Sequence, residues 1–235
     1  MKVVGKVLFG SQNYFLDGPD SDHDYKLLMM PEFNDFYTYH RVSKNDLPEE
    51  YDPEHYNVMS VLKFDENLRK GNVNALEMLF SREQDLSEDM RSYFDMARFV
   101  YSEGYLYTVW DTFLATVEGM MKNSLDRYGV NRKSASRALY LVNFCSFVAK
   151  DDFAVDKYTW GADEVFAAAR ELRYNEEKKL PTREELFTMF EDMKCKAEVY
   201  RKRYHLTGTY AAANWNDFLA LCMRDAVKTS LRREL

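Results

Sequence analysis

Apolar positions change their spacing about a third of the way along the chain. The early part holds short apolar runs of strand length: Lys2–Phe9, rich in valine and ending at Gly10-Ser11, and Asp24–Met30, closed by Pro31. Between them lies a turn-rich stretch, GSQNYFLDGPDSD, in which Asp17-Gly18-Pro19-Asp20 supplies strong turn chemistry. Residues 31–55 are acidic and broken by Pro31, Pro48 and Pro53, which predicts a long connection with one irregular strand at Phe36–His40. From Asn57 the period becomes helical, with Val58, Val61, Leu62 and Leu68 apolar up to a stop at Gly71-Asn72. Val73–Phe80 (VNALEMLF) then reads as a third strand, with Leu76, Met78 and Phe80 on one face and Ala75, Glu77 and Leu79 on the other. A carboxylate inside such a strand needs a cation to meet it.

After Ser81 helical spacing persists to the end. It predicts helices over 87–99, 102–125, 132–149, 160–174, 182–204 and 214–232, separated at Gly129, Asp151-Asp152, the Asn175–Pro181 loop and Thr207-Gly208. Ser134, Thr182 and Asn214 stand near helix starts, where a cap is useful. No internal repeat is visible. The fold class is therefore α+β: a small α+β domain over residues 1–100, followed by a helical domain over 101–235.

Composition narrows the picture. With 235 residues, 46% of them hydrophobic and 15% aromatic, the chain can bury a substantial core, which excludes a disordered or fibrous protein. No uncharged apolar run approaches the roughly 18–20 residues of a membrane span. The opening MKVVGKVLFG places lysine inside the apolar stretch and offers no small-residue cleavage site before SQN, so a cytoplasmic location is expected. Cys145, Cys195 and Cys222 are widely spaced and read as reduced thiols, and His23, His40, His55 and His205 do not cluster. This pattern argues against zinc or iron and for an ion held by oxygen. Charge is lopsided: residues 1–121 carry 11 Lys+Arg against 22 Asp+Glu, net −11, while residues 122–235 carry 21 against 17, net +4. Such a split suits divalent cations on one side and phosphates on the other, although solvated helix faces produce it as well.

The decisive motif is Gly10-Ser11, ten residues, then Asp22-His23-Asp24. Aspartates at i and i+2 of a strand share a face and can grip one ion jointly. An oxygen-ligated magnesium site uses such a pair, leaving other positions to water and substrate phosphates. Gly10 permits close backbone approach, and Ser11 opens a polar segment whose hydroxyl and N–H groups suit phosphate oxygens. Lys26 continues the aspartate face, where it either touches phosphate or neutralises the acidic cluster; His23 points the other way, as a packed histidine would. Gln12, Asn13 and Tyr14 either line the nucleotide or serve only the turn.

Gly-Ser-x10-Asp-x-Asp, within FGSQNYFLDGPDSDHDYKLLMMP, resembles the signature of the DNA polymerase beta superfamily of nucleotidyltransferases. Together with GNVNALEMLFS it is similar to the polymerase-beta-like nucleotidyltransferases associated with RNA ligases in RNA-repair operons, over roughly residues 5–80. The helical part matches more loosely, through NRKSASRALYLVN. The resemblance implies a catalytic domain built on a small mixed sheet with helices. It also implies that Gly10 and Ser11 contact a nucleoside triphosphate and that Asp22 and Asp24 bind two Mg²⁺ ions, with Mn²⁺ as an alternative. Glu77 is then the third carboxylate, sharing one metal and assisting deprotonation of the attacking hydroxyl. Its competing role is an ion pair with a lysine such as Lys26 or Lys63.

Lys133 and Arg137, four apart on one predicted helix with Arg132 adjacent, form either a triphosphate clamp or a solvated pair. A second basic run, Lys194, Lys196, Arg201, Lys202 and Arg203 with Tyr200 and Tyr204, suits either a polynucleotide backbone or the dipole of a helix end. The implied activity is transfer of a nucleoside monophosphate from an NTP to a hydroxyl of nucleic acid, an RNA end foremost, with release of pyrophosphate. The alternatives are transfer onto a partner protein and a non-catalytic nucleotide-binding module.

Overall fold

Strand β1 (Lys2–Phe9) pairs antiparallel with β2 (Asp24–Met30), from Lys2↔Met30 to Phe9↔Asp24, with an irregularity between Val3 and Gly5. These are two of the strands expected from the sequence. In this computed structural model residues 1–14, 16–17, 24–32, 35, 42–52, 56–156, 163–207 and 215–233 are described; Asp22, His23, the strand expected at Phe36–His40 and the cap expected at Asn214 lie outside the described residues. Among the described residues the chain forms a small mixed sheet of four strands and nine α-helices, an α+β arrangement. Strand β3 (Tyr56–Ser60) runs parallel to β2, and β4 (Gln84–Leu86) runs antiparallel to β1, so the sheet order is β3-β2-β1-β4.

Two expectations fail between residues 56 and 80. The helix expected from Asn57 begins only at Val61 (α1, Val61–Arg69), because Tyr56–Ser60 extends along β2 and the Ser60 hydroxyl caps the helix by accepting from the Lys63 N–H at 3.1 Å. Val73–Phe80, expected as a strand, is helix α2 (Val73–Leu79). Gly71, at φ 68°, ends α1, and Asn72 starts α2 through its side chain, which accepts from the Asn74 N–H at 3.0 Å. Ala, Leu, Glu and Met favour helix, and Val73, Ala75, Leu76, Met78 and Leu79 are all buried, so the segment is apolar all round rather than on one pleat.

Helix α3 (Glu88–Ser102) follows β4. It sends Tyr93 and Phe94 inward, where Phe94 stacks on Phe64 of α1 with centroids 5.1 Å apart. The segment expected as one helix over 102–125 is broken at Val109 into α4 (Tyr105–Thr108) and α5 (Trp110–Tyr128). Then come α6 (Arg132–Lys150), α7 (Asp163–Tyr174), α8 (Arg183–Thr207) and α9 (Trp215–Arg232). No helix of the described residues is long and apolar enough to cross a membrane.

The chain divides into two units. One comprises Met1–Asn13, Asp17–Val100 and Asn214–Leu235; the other comprises Tyr14–Leu16 and Tyr101–Ala213. Residues 101–235 therefore do not stay together, because α9 belongs with the sheet. It buries Leu219, Met223, Ala226 and Val227 and packs on α1. Its periodicity announces a helix with one apolar side, but not the element that covers that side. In the second unit α6 is central, packed by α5, α7 and α8, and Tyr140 stacks between Phe144 (6.1 Å) and Phe166 (5.3 Å). Ser134 acts at the start of α6 as expected, paired reciprocally with the N-cap Asn131 at 3.0 Å each way. Thr182 does the same with Glu185 before α8, at 2.6 and 3.1 Å.

Candidate functional site

The Gly-Ser turn leaves the end of β1 where Asp24 begins β2. Phe9 and Asp24 are register partners, so Gly10 emerges beside the Asp24 side chain. Gly10 has φ +79°, and a Cβ placed on it would stand 2.5 Å from Asp24 Oδ2 and 3.2 Å from Asp24 Cβ. Glycine is required here twice over, for its backbone conformation and for its lack of a side chain. Asp24 is exposed, with its carboxylate against this turn. A hard oxygen donor open to solvent, beside a backbone that only glycine allows so near, fits a divalent cation carrying phosphate. Its predicted partner Asp22 lies outside the described residues, and among those residues no three His, Cys, Asp or Glu side chains gather as a metal-ligand group.

Ser11 opens a 3₁₀ turn over Ser11–Tyr14 and is half-buried, with the Asn13 N–H donating back to the Gly10 carbonyl at 3.0 Å. Asn13, which the sequence left as a turn or nucleotide residue, turns out to be a fully buried strut. Its Nδ2 donates to the Glu77 carbonyl at 2.9 Å, and its Oδ1 accepts from the Arg82 N–H at 3.3 Å. Ser81, which no sequence pattern marked, donates its hydroxyl to the Leu8 carbonyl at 2.8 Å and so fixes the same strand end from the other side. An amide side chain three residues past a strand-ending glycine is a local signal that could have found this clasp.

Strand alternation puts Asp24 and Lys26 on one face and Tyr25 on the other. Lys26 is half-buried with Nζ 3.8 Å from the Phe9 ring centroid; burial pushes its ammonium below the usual lysine range, and the Glu77 carboxylate opposes that shift. Glu77, on α2 rather than on a strand, is fully buried. On the other face the Tyr25 hydroxyl donates to Glu83 Oε1 at 2.6 Å, and that bond, with burial and the Glu83 charge, pushes the phenol up to about 12. Lys6 Nζ lies 4.1 Å from the Tyr25 ring centroid.

The predicted basic clamp lies in the second unit, at the start of α6. Lys133 is exposed, while Arg137 is half-buried with its guanidinium 4.9 Å from the Tyr140 ring centroid. The neighbouring Arg132 is occupied structurally, donating to the carbonyls of Leu172 (2.9 Å), Glu176 (2.5 Å) and Lys178 (3.1 Å) at the end of α7 and beyond it. In the basic run of α8, Lys194 pairs with Glu191 at 2.8 Å and Arg201 grips both oxygens of Asp111 at 2.8 and 3.2 Å. Tyr107, Glu198, Arg201, Lys202 and His205 line a cleft of about 420 Å³ there.

Comparison of the chain with protein-family models, with curated proteins and with solved structures finds no match in any of the three. Any functional reading therefore stands on the residues and their geometry.

Proposed function

We propose that the chain is a metal-dependent nucleotidyltransferase that moves a nucleoside monophosphate from an NTP to a hydroxyl of nucleic acid, an RNA end, and releases pyrophosphate. One observation carries this reading: the Gly10 backbone lies against the Asp24 carboxylate at the open end of the β1/β2 pair, with Ser11 beginning a turn of N–H groups at the same point. Asp22 and Asp24 are the residues that would hold the Mg²⁺ ions, which supply charge neutralisation for the triphosphate when bound. Ser11 and the adjacent backbone N–H groups orient phosphate oxygens, and Gly10 keeps the path to Asp24 clear of a side chain. In the transfer the acceptor oxygen bonds to the α-phosphorus and the bond from that phosphorus to the bridging β-oxygen breaks. The acceptor proton leaves to the aspartate pair, and pyrophosphate carries away the negative charge. Arg132 is not among the phosphate-binding groups of this reading, since its donors already serve carbonyls.

The test is a transfer assay with each α-labelled NTP, with and without Mg²⁺, against mixed RNA, DNA and cell protein, beside an Asp22→Ala, Asp24→Ala variant. Metal-dependent label on RNA that the variant fails to produce is the expected result. Label on protein alone would replace the acceptor, and equal behaviour of parent and variant in every arm would end the enzymatic reading.

A further inference from the structure

We infer that the C-terminal end of α2 is a hub that holds the Gly10-Ser11 turn through Asn13 and is itself held by Gln84 and Arg98, which makes Asn13 and Arg98 positioning residues for the transfer. The last carbonyls of a helix have no partner within it and must find donors elsewhere. In α2 they find side-chain donors on three separate elements. The Glu77 carbonyl accepts from Asn13 Nδ2 of the turn at 2.9 Å, and the Met78 and Leu79 carbonyls both accept from Gln84 Nε2 of β4, at 2.8 and 3.0 Å. Leu79 accepts again, from Arg98 Nε of α3 at 3.1 Å. Arg98 Nη2 also donates to Gln84 Oε1, which fixes the Gln84 amide in the orientation that serves the helix end.

Asn13 needs both halves of its amide. Its Nδ2 faces a carbonyl and its Oδ1 faces the Arg82 N–H at 3.3 Å, with no exposure to water, so an aliphatic side chain of the same size would leave two buried polar groups unmet. The Asn13 N–H closes onto the Gly10 carbonyl at 3.0 Å, so the residue that grips α2 also shuts the turn. Beyond α2 the chain returns along β1: the Ser81 hydroxyl donates to the Leu8 carbonyl at 2.8 Å, and Gln84 is the register partner of Val7. Turn, strand end and helix end are thus cross-linked at one place. Arg98 meets that place at Leu79 and Gln84, and its grip passes along α2 to the carbonyl that Asn13 takes. The hub stands on these hydrogen bonds alone; its consequence for transfer rests on the nucleotidyl-transfer reading.

The experiment uses the full chain with Asn13→Leu, Arg98→Met, both together, and Val227→Ala, which truncates a buried side chain of α9 and so measures loss of stability alone. Amide exchange over residues 11–14 and the kinetics of label transfer from NTP are read for each. Asn13→Leu should speed exchange of the turn about tenfold and lower kcat/KM about a hundredfold, as displacement by about 1 Å at a reacting centre does. Arg98→Met should speed the same exchange and lower kcat about tenfold, with KM for NTP within about twofold of the parent. In the Asn13→Leu background it should add less than about twofold, because both residues act through one helix end. Val227→Ala should keep turn exchange and transfer at parent values below its melting range. Unchanged exchange over residues 11–14 in Asn13→Leu overturns the hub, and losses that multiply in the double variant overturn the route from Arg98. Equal loss of transfer in Val227→Ala and Asn13→Leu overturns the positioning role. If Asn13→Leu fails to fold, Arg98→Met decides: faster exchange of the turn supports the hub, and unchanged exchange overturns it. A parent protein that transfers no label defeats the nucleotidyl-transfer reading alone, because turn exchange still decides the hub.

Discussion

A single methyl group at position 10 separates two demands that the turn satisfies together. An alanine there would adopt the left-handed region at a cost of about 1–2 kcal/mol, and its Cβ would meet Asp24 Oδ2 at 2.5 Å, closer than carbon and oxygen tolerate. Either the turn or the carboxylate must then move. Gly10→Ala is therefore expected to lower unfolding free energy in urea by about 1–2 kcal/mol. It should lower kcat/KM for nucleotide transfer far more than that loss explains, by roughly a hundredfold, because displacement of about 1 Å at a reacting centre has that effect. Urea denaturation together with initial transfer rates checks both parts; a transfer rate that follows stability alone would remove Gly10 from the site.

At the scale of elements, adjacent cations on α6 divide by what their side chains reach. Arg132 donates to three carbonyls at and beyond the end of α7, groups that a helix terminus leaves without partners, while Lys133 projects into solvent one residue later. Arg132→Ala should cost about 2 kcal/mol of stability and speed amide exchange over residues 172–178. Lys133→Ala, at an exposed side chain, should leave both the melting curve and that exchange in place. Hydrogen exchange and thermal melts separate the two, and unaltered exchange over residues 172–178 in Arg132→Ala would reverse the assignment. The sequence made α6 legible but not this division, since Arg132 and Lys133 are neighbours and only the end of α7, forty residues on, distinguishes them. The same limit explains other outcomes. Strands β1 and β2 were readable because valine-rich or apolar runs ended at a glycine and a proline. Helix α2 was misread because its apolar residues occupy every face, so that period carries no information. The three residues of β4 are too few for any pattern. Gly10-Ser11 and Asp24 were legible as neighbours at one strand end because close approach and a strand start leave local marks, whereas the burial of Glu77 follows from packing by residues distant in sequence.

For the whole molecule, the chain leaves the sheet-bearing unit at Val100 and comes back to it at Asn214, so that unit is completed only by the last helix. Besides the apolar side of α9, a polar chain runs through this closure. Asp65 of α1, buried, accepts from the Tyr93 hydroxyl of α3 at 2.7 Å and from Arg69 Nε at 2.9 Å, and Arg69 Nη1 donates onward to Asn216 of α9 at 3.3 Å. Burial raises the Asp65 carboxyl above its ordinary value, and the bonds from Tyr93 and Arg69 only partly oppose this. A carboxyl whose folded pKa lies above its unfolded one binds its proton more tightly in the folded chain. Its contribution to stability is then complete below the ordinary aspartate range near 4 and is lost as pH rises through the folded pKa. Asp65→Asn removes that proton while keeping an acceptor for Tyr93. The stability of the parent relative to Asp65→Asn should therefore decline as pH is raised from about 3.5 and level off once Asp65 is ionised in both states. Guanidinium unfolding of both proteins across that range measures the difference directly. A difference that grew with pH would mean that Arg69 and Tyr93 outweigh burial, making the ionised Asp65 a net stabiliser of the closure by α9.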